Sequence, residues 1–280
     1  MKKWSILSCC VIMILVCTGC SKTTVVSSEP TVRQHQGLII AGSGSNIPHV
    51  RNLVNQFQNE RNLDIHVPDS IGSIGAVNGI QGGTIDLGFT SRSLSEAEKA
   101  NGLKEIAYAK SALIIACHDD VPESDIGYED LLHIYGGEKT KWSNGKGIVL
   151  LAMHLEDSTN EVLIGNIPGF KEVLSNAIKT HQAKEFYNNQ SLDVALGETS
   201  SAIGFTSVTP KIGSGMKAMT VNGVSPSREN ILNGSYRLTK DLYFIYKDPL
   251  NKDVKEFVDF VFSTQGKEIL EQNGCISLNR

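Results

Sequence analysis

The chain has 280 residues, with 26 lysines and arginines against 30 aspartates and glutamates, so its formal net charge at pH 7 is -4. Its 40% hydrophobic and 20% charged residues are typical of a globular protein and exclude disorder, collagen and coiled coil as classes. The sequence contains no run of basic residues, which argues against a nucleic-acid partner held by phosphate electrostatics. Because domains commonly have about 150 residues, this length predicts two domains or lobes.

The N-terminal segment has the pattern of an export signal. Two lysines precede an almost unbroken apolar run at 6–16, which is too short for a transmembrane helix of about 20 residues. Small residues before Cys20 resemble the lipobox of bacterial lipoproteins. We therefore predict a signal peptide at 1–19, lipidation of Cys20 with acyl chains such as palmitate, and a flexible tether within 20–36. Cys17 stands where leucine is usual, so simple secretion with cleavage nearby is the alternative.

In the first half of the folded part, strands are predicted to alternate with short polar loops and helices. The strands fall at 37–41, 63–67 and 84–89, because each is a short apolar run bounded by turn residues. The loops that follow them are rich in serine and glycine and lead into segments with helical spacing of apolar residues. Ser95 and Glu98 have the spacing of a capping box before a further helix.

The second half continues the same alternation. In chain order, the predicted elements are a strand at 106–117, a helix at 128–134, strands at 147–153, 202–206 and 240–247, and one final helix with an apolar face from 254 to 270. Ser158 and Glu161 also have capping-box spacing, which predicts a helix with Ser158 as its N-cap. This alternation predicts a mainly parallel α/β fold.

Four hydroxyl-rich loops carry the chemistry that the sequence offers. Each lies where a strand leads into a helix, and the free N–H groups of a helix's first turn attract anions. If five serines meet at the carboxyl ends of the strands, they would surround a small oxyanion with uncharged donors: Ser43, Ser45, Ser73, Ser91 and Ser158. The alternative is that each serine merely caps its helix.

Patterns of enzymatic sites are missing from the sequence. No serine has glycine two residues before and two residues after it, and neither a P-loop nor a complete dinucleotide fingerprint occurs. The histidines show no metal-ligand spacing, and His118 with Asp119 and Asp120 fits a solvated loop better than a metal site. We therefore predict a binding protein rather than an enzyme, with no cofactor and no metal.

Two cysteines, Cys117 and Cys275, remain for the folded part once the signal region is set aside. Two cysteines do not make a disulfide scaffold. They form either one bridge in an oxidising envelope or two buried thiols, and spacing leaves both open.

Several motifs, taken in order, resemble the phosphate-binding proteins of ABC-type phosphate importers. They are GSGSNIP at 42–48, IGSIG at 71–75, TIDLG at 84–88 followed by Ser-Arg, AIGF at 202–205 and the closing segment from 230 onwards. The resemblance implies a periplasmic-binding-protein type II fold, in which two α/β lobes are joined by two crossover strands and the ligand lies in the cleft. It also implies lobe limits of 37–112 and 241–280 for the first lobe and 113–240 for the second.

Residue by residue, the resemblance implies ligand contacts from all four loops. The implied binding residues are Ser43, Ser45, the Asn46 N–H, Ser73, Ser91, Arg92, Ser158, Thr159 and Asn160. The family's fourth loop usually reads Arg, two residues, then Gly-Ser-Gly-Thr. Here His154 replaces the arginine, while Asp157 and Thr159 replace the two glycines. Asp157 and Glu156 are the candidate acceptors for a proton of phosphate, or else simply acids at a helix N-terminus.

The function implied is that of a monomeric, lipid-anchored solute-binding protein facing the periplasm or exterior. It would close two lobes over an inorganic oxyanion, with phosphate favoured, and deliver it to the subunits of an ABC permease. The alternatives are another oxyanion such as sulfate or molybdate, and a degenerate-site relative used in signalling or adhesion. An envelope phosphatase or hydrolase is a further alternative from a different class.

Overall fold

Two larger β-sheets and one small two-stranded sheet, of residues 125–126 and 220–221, organise the chain in its computed structural model, which describes residues 37–61, 63–207 and 214–280. The predicted signal peptide, the tether and the lipidated Cys20 lie outside these residues. The described strands are β1 Leu38–Gly42, β2 Ile65–His66, β3 Leu87–Thr90, β4 Leu103–Ala112, β5 Ile114–His118, β6 Asp125–Ile126, β7 Val149–Met153, β8 Ala183–Phe186, β9 Ala202–Thr206, β10 Met216–Ala218, β11 Thr220–Val221, β12 Thr239–Lys247 and β13 Ile276–Ser277.

Helices follow most of the strands. They are α1 Ile47–Arg61, α2 Gly72–Gln81, α3 Glu96–Ala100, α4 Tyr128–Tyr135, α5 Ser158–Asn166, α6 Phe170–Lys179, α7 Asn189–Glu198, α8 Arg228–Leu232, α9 Lys252–Val261 and α10 Thr264–Gln272. A 3-10 turn, Gly44–Asn46, leads from β1 into α1.

The six-stranded sheet has the order β13-β4-β12-β3-β1-β2 and forms the first lobe. Its β1 runs parallel to both β2 and β3, so the carboxyl ends of β1 and β3 lie side by side. The five-stranded sheet, with the order β10-β5-β9-β7-β8, forms the second lobe, where β7 runs parallel to β8 and β9.

The two sheets are mixed, which corrects the prediction of a mainly parallel fold. The long strand β12 is antiparallel to both β3 and β4, and β5 is antiparallel to β9 and β10. The pairs of β12 arise where the chain returns from the second lobe, because the returning strand enters the first sheet from the opposite end. Alternation of strands and helices along the sequence does not reveal this reversal.

Two short connections join the lobes side by side. The first passes through Leu113 between β4 and β5, and the second passes through Leu238 just before β12. The Leu113 N–H donates to the Leu238 carbonyl over 2.8 Å, and the hydroxyl of Tyr236 donates to the Leu113 carbonyl over 2.7 Å. The predicted strand at 106–117 is therefore two strands that meet at Leu113. The predicted lobe limits at 112/113 and 240/241 stay a prediction.

Each lobe has its own aromatic core. In the first lobe, Phe257 packs edge-on against Phe57 at 5.4 Å and against Phe244 at 6.0 Å. In the second, Tyr135 contacts both Phe170 and Phe205, with ring centroids 5.3 and 5.5 Å apart. Burial of each such side chain contributes about 1.5–3 kcal/mol to folding. These aromatic contacts are made within each lobe.

Capping explains where three helices start. Ser95 and Glu98 form the predicted capping box of α3, which confirms that prediction. The capping box predicted for Ser158 is wrong, since the N-cap of α5 is Asp157, whose side chain accepts from the Thr159 N–H. The single predicted C-terminal helix is also wrong, because it is divided into α9 and α10 where Ser263 caps the second helix by accepting from the Gly266 N–H.

Candidate functional site

A triangle of serine hydroxyls lies where β1 and β3 end. The Oγ atoms of Ser45 and Ser91 are 2.6 Å apart, those of Ser91 and Ser43 are 3.0 Å apart, and those of Ser43 and Ser45 are 3.2 Å apart. All three residues are buried. The loops meet because β1 and β3 are parallel neighbours, with Gly42 in register with Phe89. The structure thus brings together three of the residues predicted from separate loops.

Asn46 completes this cluster and is held by an aromatic neighbour. Its Nδ2 donates to Ser91 Oγ over 2.7 Å, while the hydroxyl of Tyr108 donates to its Oδ1 over 2.6 Å. The ring of Tyr108 stacks on Phe244 at 4.2 Å, which fixes the hydroxyl. The backbone N–H of Asn46, which the resemblance implies as a ligand donor, donates to the Ser43 carbonyl over 3.0 Å in the 3-10 turn.

Ser73 connects the triangle to the open cleft. It lies in the first turn of α2, and its Oγ accepts from the Ser91 N–H over a long 3.4 Å. The second loop is tied to the end of β1, since the Ile71 N–H donates to the Gly42 carbonyl over 3.1 Å. The predicted second-loop residue is therefore adjacent to the third-loop serine.

The fourth loop is shaped by its own side chains. Asp157 Oδ1 accepts from the Thr159 N–H over 2.8 Å, and Asn160 Nδ2 donates to the carbonyls of Met153, His154 and Leu155. These bonds use the donors of Asn160 to fold the loop. Thr159 Oγ1 and Asn160 Oδ1 are buried with no hydrogen-bond partner within the described residues.

A cleft of about 350 Å³ separates the loops of the two lobes. The first lobe lines it with residues 70–74 and Arg92, and the second lobe lines it with His154, residues 156–158, Glu161 and Tyr187. Ser73, Arg92 and Ser158 therefore face one space, whereas the serine triangle lies behind Ser73. The volume is near the lower end of ordinary ligand sites, about 300–1,000 Å³, which suits a small ion.

Arg92 is the cation of the first lobe at this cleft, and it is already paired. Its Nη1 and Nη2 donate to the two carboxylate oxygens of Glu98 over 2.9 and 2.7 Å, and Nη1 also donates to the Ser93 carbonyl over 2.9 Å. The bidentate bond lowers the pKa of Glu98 to about 2 and raises that of Arg92. Its Nε proton and one Nη2 proton have no partner within the described part of the chain.

The opposite wall of the cleft is acidic and aromatic. Partial removal from water raises the pKa of Glu161, while the charges of Asp157 and Arg92 act on it in opposite directions. His154 Nδ1 lies 2.8 Å from Glu185 Oε1, and its ring stacks on Tyr187 at 5.0 Å. The histidine that replaces the family's arginine is thus bound to a carboxylate of its own lobe.

The lobes touch at the edge of the serine triangle. Gln190 Nε2 at the start of α7 donates to the Gly44 carbonyl over 3.4 Å. A Cβ placed on Gly44 would lie 2.4 Å from Asn189 Oδ1 and 3.1 Å from Ser70 Oγ. Only glycine permits this approach of the two lobes without displacement of a neighbour.

The sequence reasoning missed two buried polar residues near these loops, His49 on α1 and Lys240 on β12. Both ring nitrogens of His49 and the Nζ of Lys240 are buried without hydrogen-bond partners among the described residues. Burial, followed by the charge of Lys240, lowers the pKa of His49 to about 4. Burial lowers the pKa of Lys240 to about 8. A lysine at a core-facing position of a predicted strand was the signal that could have drawn attention to it.

Both cysteines of the folded part are free and buried, which decides between the two alternatives left open by the sequence. Burial raises the pKa of Cys117 and of Cys275 to about 12 in each case. Neither thiol lines the cleft.

Two α/β lobes with polar loops facing a common cleft define a two-lobed ligand-binding protein. A family model described as a PBP superfamily domain matches residues 24–265, and the chain belongs to this superfamily. This match confirms the predicted fold class. The relatives that this chain resembles confirm the predicted likeness to phosphate-binding proteins.

Three proteins similar to this chain are named for phosphate binding or phosphate transport. The phosphate-binding protein PstS of Borreliella burgdorferi is 25% identical over 254 residues, which cover 85% of this chain and 89% of the relative. A phosphate ABC transporter substrate-binding protein from Clostridium perfringens, solved with bound phosphate, matches with a TM-score of 0.77 at 24% identity. The match covers 87% of this chain and 100% of the solved chain. An ABC-type phosphate transport receptor from Vibrio cholerae has a TM-score of 0.62 at 22% identity, covering 85% and 99%. These two structures share the fold.

Proposed function

We propose that this chain is an extracytoplasmic solute-binding protein that binds phosphate in its interlobe cleft and delivers it to an ABC transporter. The observation that carries the proposal is the meeting of hydroxyl-bearing loops from both lobes around one small cleft, with Ser73 on one side and Ser158 on the other. The names of the similar proteins favour phosphate over other small anions.

The site offers an anion mostly uncharged donors. Ser73 and Ser158 stand in the first turns of α2 and α5, where free N–H groups and the helix dipole favour negative charge. Each charge-assisted hydrogen bond contributes about 1.5–3 kcal/mol net, and micromolar binding requires about -8 kcal/mol. Several donors from both lobes are therefore needed at once, so binding stabilises the state in which the lobes are together.

The nine residues implied as ligand contacts would serve in three ways. Ser73, Arg92 and Ser158 would contact the anion directly, since they line the cleft. The hydroxyls of the serine triangle, Ser43, Ser45 and Ser91, would turn one O–H towards the anion in exchange for a bond within the triangle. Asn46, Thr159 and Asn160 would hold the loops in place, with the Thr159 hydroxyl able to donate to the anion.

A protonated phosphate also needs an acceptor, which sulfate does not. Glu156, Asp157 and Glu161 line the cleft, and one oxygen of Asp157 is occupied by its own helix cap. We propose Glu161 as the acceptor, because it lines the cleft and the charges of Arg92 and Lys240 oppose the rise in its pKa that burial causes. This preference would separate phosphate and arsenate from sulfate and molybdate.

The proposal includes attachment to the cell envelope through Cys20. In the described residues, no helix combines the length and apolar character that a membrane crossing requires. The lipid on Cys20 would hold the monomeric binding protein at the membrane, facing the periplasm or exterior. Metabolic labelling with a palmitate analogue should mark the parent and not Cys20→Ser, and equal labelling of both would refute the anchor.

No covalent chemistry is proposed for the cleft. The described residues contain no group of three or more His, Cys, Asp and Glu side chains placed to hold a metal ion. Cleavage of a phosphoester, with or without added divalent metal, would instead support the alternative of an envelope phosphatase.

Calorimetry of the purified chain with phosphate, arsenate, sulfate and molybdate tests the proposal. We expect binding of phosphate and arsenate, and at least tenfold weaker binding of phosphate by Ser73→Ala. Ser93→Ala is the matched control, because Ser93 is exposed and its hydroxyl contacts Glu105 Oε1 at 2.6 Å. Preference for sulfate or molybdate would reassign the ligand, and absence of binding to all four anions would favour a degenerate site used in signalling or adhesion.

A further inference from the structure

Lys240 is a charged residue in an apolar position of the strand that connects the lobes. It is the second residue of β12, only 5% exposed, and is buried like Leu242 and Phe244 further along the same strand. On β4, the adjacent strand, its register partner is Ser111. A buried lysine normally has a carboxylate or carbonyl partner, and Lys240 Nζ has none in residues 37–61, 63–207 and 214–280.

The charged and titratable groups that face Lys240 come from every element around it. Asp157 and Glu161 act on it from the N-terminus of α5, Cys275 from the segment before β13, and His49 from the first turns of α1. Asp157 and Glu161 also line the cleft, and His49 lies three residues after Asn46. Lys240 is therefore close enough to the helices that follow the first and the fourth ligand loops for their charges to act on it.

The lining of the cleft offers little unpaired positive charge to the anion that the proposed function requires. Arg92 is held in a bidentate pair with Glu98, and His154 is bound to Glu185. Glu156, Asp157 and Glu161 add negative charge to the lining. A dianion entering this cleft would be repelled by carboxylates unless a further cation faced it.

We propose that Lys240 is a binding residue for the anion, and that its buried ammonium adds an unpaired cation to the paired Arg92 of the cleft lining. The inference rests on the proposed function and adds a residue from the crossover strand to the four loops. An unpaired charge destabilises a protein interior, so its removal is stabilising. A bound anion would instead give the ammonium of Lys240 the partner that it lacks. Lys240 would thus destabilise the protein when no anion is bound and stabilise the complex with the anion.

A pH dependence follows, because only the protonated lysine attracts an anion. Burial lowers the pKa of Lys240 to about 8, and a bound anion would raise it again. Affinity is therefore full below this pKa and falls as the pH rises from 8 towards 9.5. The pKa values of three other groups that face Lys240 lie outside this range: that of His49 is about 4, that of Cys275 is about 12, and burial raises that of Glu161 only from the ordinary carboxyl value of 4.5.

Phosphate calorimetry on Lys240→Met and Lys240→Arg tests the inference. We expect Lys240→Met to lose at least tenfold in phosphate affinity, with an unchanged or higher melting temperature without phosphate, and Lys240→Arg to retain most of the affinity. Lys247→Met is the matched control, since Lys247 is exposed at the far end of the same strand. Equal phosphate affinity of the parent and Lys240→Met would overturn the inference and leave the proposed function standing.

The pH series of the parent needs no variant and covers the case in which Lys240→Met does not fold. Between pH 8 and 9.5 the affinity of the parent should fall several-fold, up to tenfold per pH unit for a single proton. A flat profile would overturn the role of Lys240. A parent that binds none of phosphate, arsenate, sulfate and molybdate would overturn the proposed function and this inference together.

Discussion

The approach of the two lobes at Gly44 gives the sharpest test of closure. In Gly44→Ala, the new methyl carbon would lie 2.4 Å from Asn189 Oδ1, about an ångström closer than an ordinary carbon–oxygen contact. Asn189 belongs to the second lobe and is buried, so either its side chain or the whole lobe must move. Overpacking of this kind costs about 1–3 kcal/mol.

The cost applies only when the lobes are together, so it should reduce affinity rather than folding stability. At about 1.4 kcal/mol per factor of ten, Gly44→Ala should bind phosphate roughly 5- to 150-fold more weakly than the parent. Calorimetry gives the affinity, thermal melting without phosphate gives the stability, and small-angle scattering with saturating phosphate reports whether the lobes close.

Two variants control this experiment. Gly147→Ala should change nothing, because a Cβ there meets no atom within 4 Å. Adding Asn189→Ala to Gly44→Ala should restore most of the lost affinity, because it removes the obstructing oxygen. If Gly44→Ala binds phosphate as tightly as the parent, or if the double variant is no better than the single one, the interlobe contact does not govern binding.

Three further outcomes are expected. Ser158→Asp should weaken phosphate binding at least tenfold by placing a carboxylate in the cleft, while Ser93→Asp on the exposed side of the third loop should not; comparable titration curves for the two would argue against the role of Ser158. Arg92 lowers the pKa of Glu98 from 4.5 to about 2. The Glu98 carboxylate therefore contributes fully to folding stability above pH 4.5, and this contribution is lost as the pH falls towards 2. Glu98→Gln should therefore melt below the parent at neutral pH and converge with it near pH 2, and a gap that persists in acid would contradict this reasoning. Cys117 and Cys275 should resist maleimide in the native protein and react in denaturant, as followed by peptide mass spectrometry; fast native labelling would be inconsistent with two buried thiols.

Local signals predicted many of the elements well. The strand predicted at 202–206 is β9 itself, and the strand predicted at 240–247 differs from β12 by one residue. The capping box at Ser95 formed because all of its atoms belong to one turn. The prediction failed for the start of α5, where Asp157 and Ser158 compete for the cap and neighbouring residues decide the outcome.

The sequence also predicted one part of the candidate site and not the other. The sequence identified the serines of the loops, since a hydroxyl between a strand and a helix is visible as a pattern. It did not show that the Asn160 side chain donates to three carbonyls of its own loop, or that Glu98 occupies Arg92. Those partners depend on rotamers and on the path of each loop.

The sequence by itself determined the order of strands and helices, the hydroxyl-rich loops between them and the resemblance to phosphate-binding proteins, because these depend on neighbours along the chain. Only the tertiary structure decided that Ser43, Ser45 and Ser91 share one hydrogen-bonded triangle, that Gly44 meets the opposite lobe, and that Lys240 is buried without a partner. Such facts depend on which distant segments the crossover strands bring into contact, and therefore on packing and desolvation rather than on local propensity.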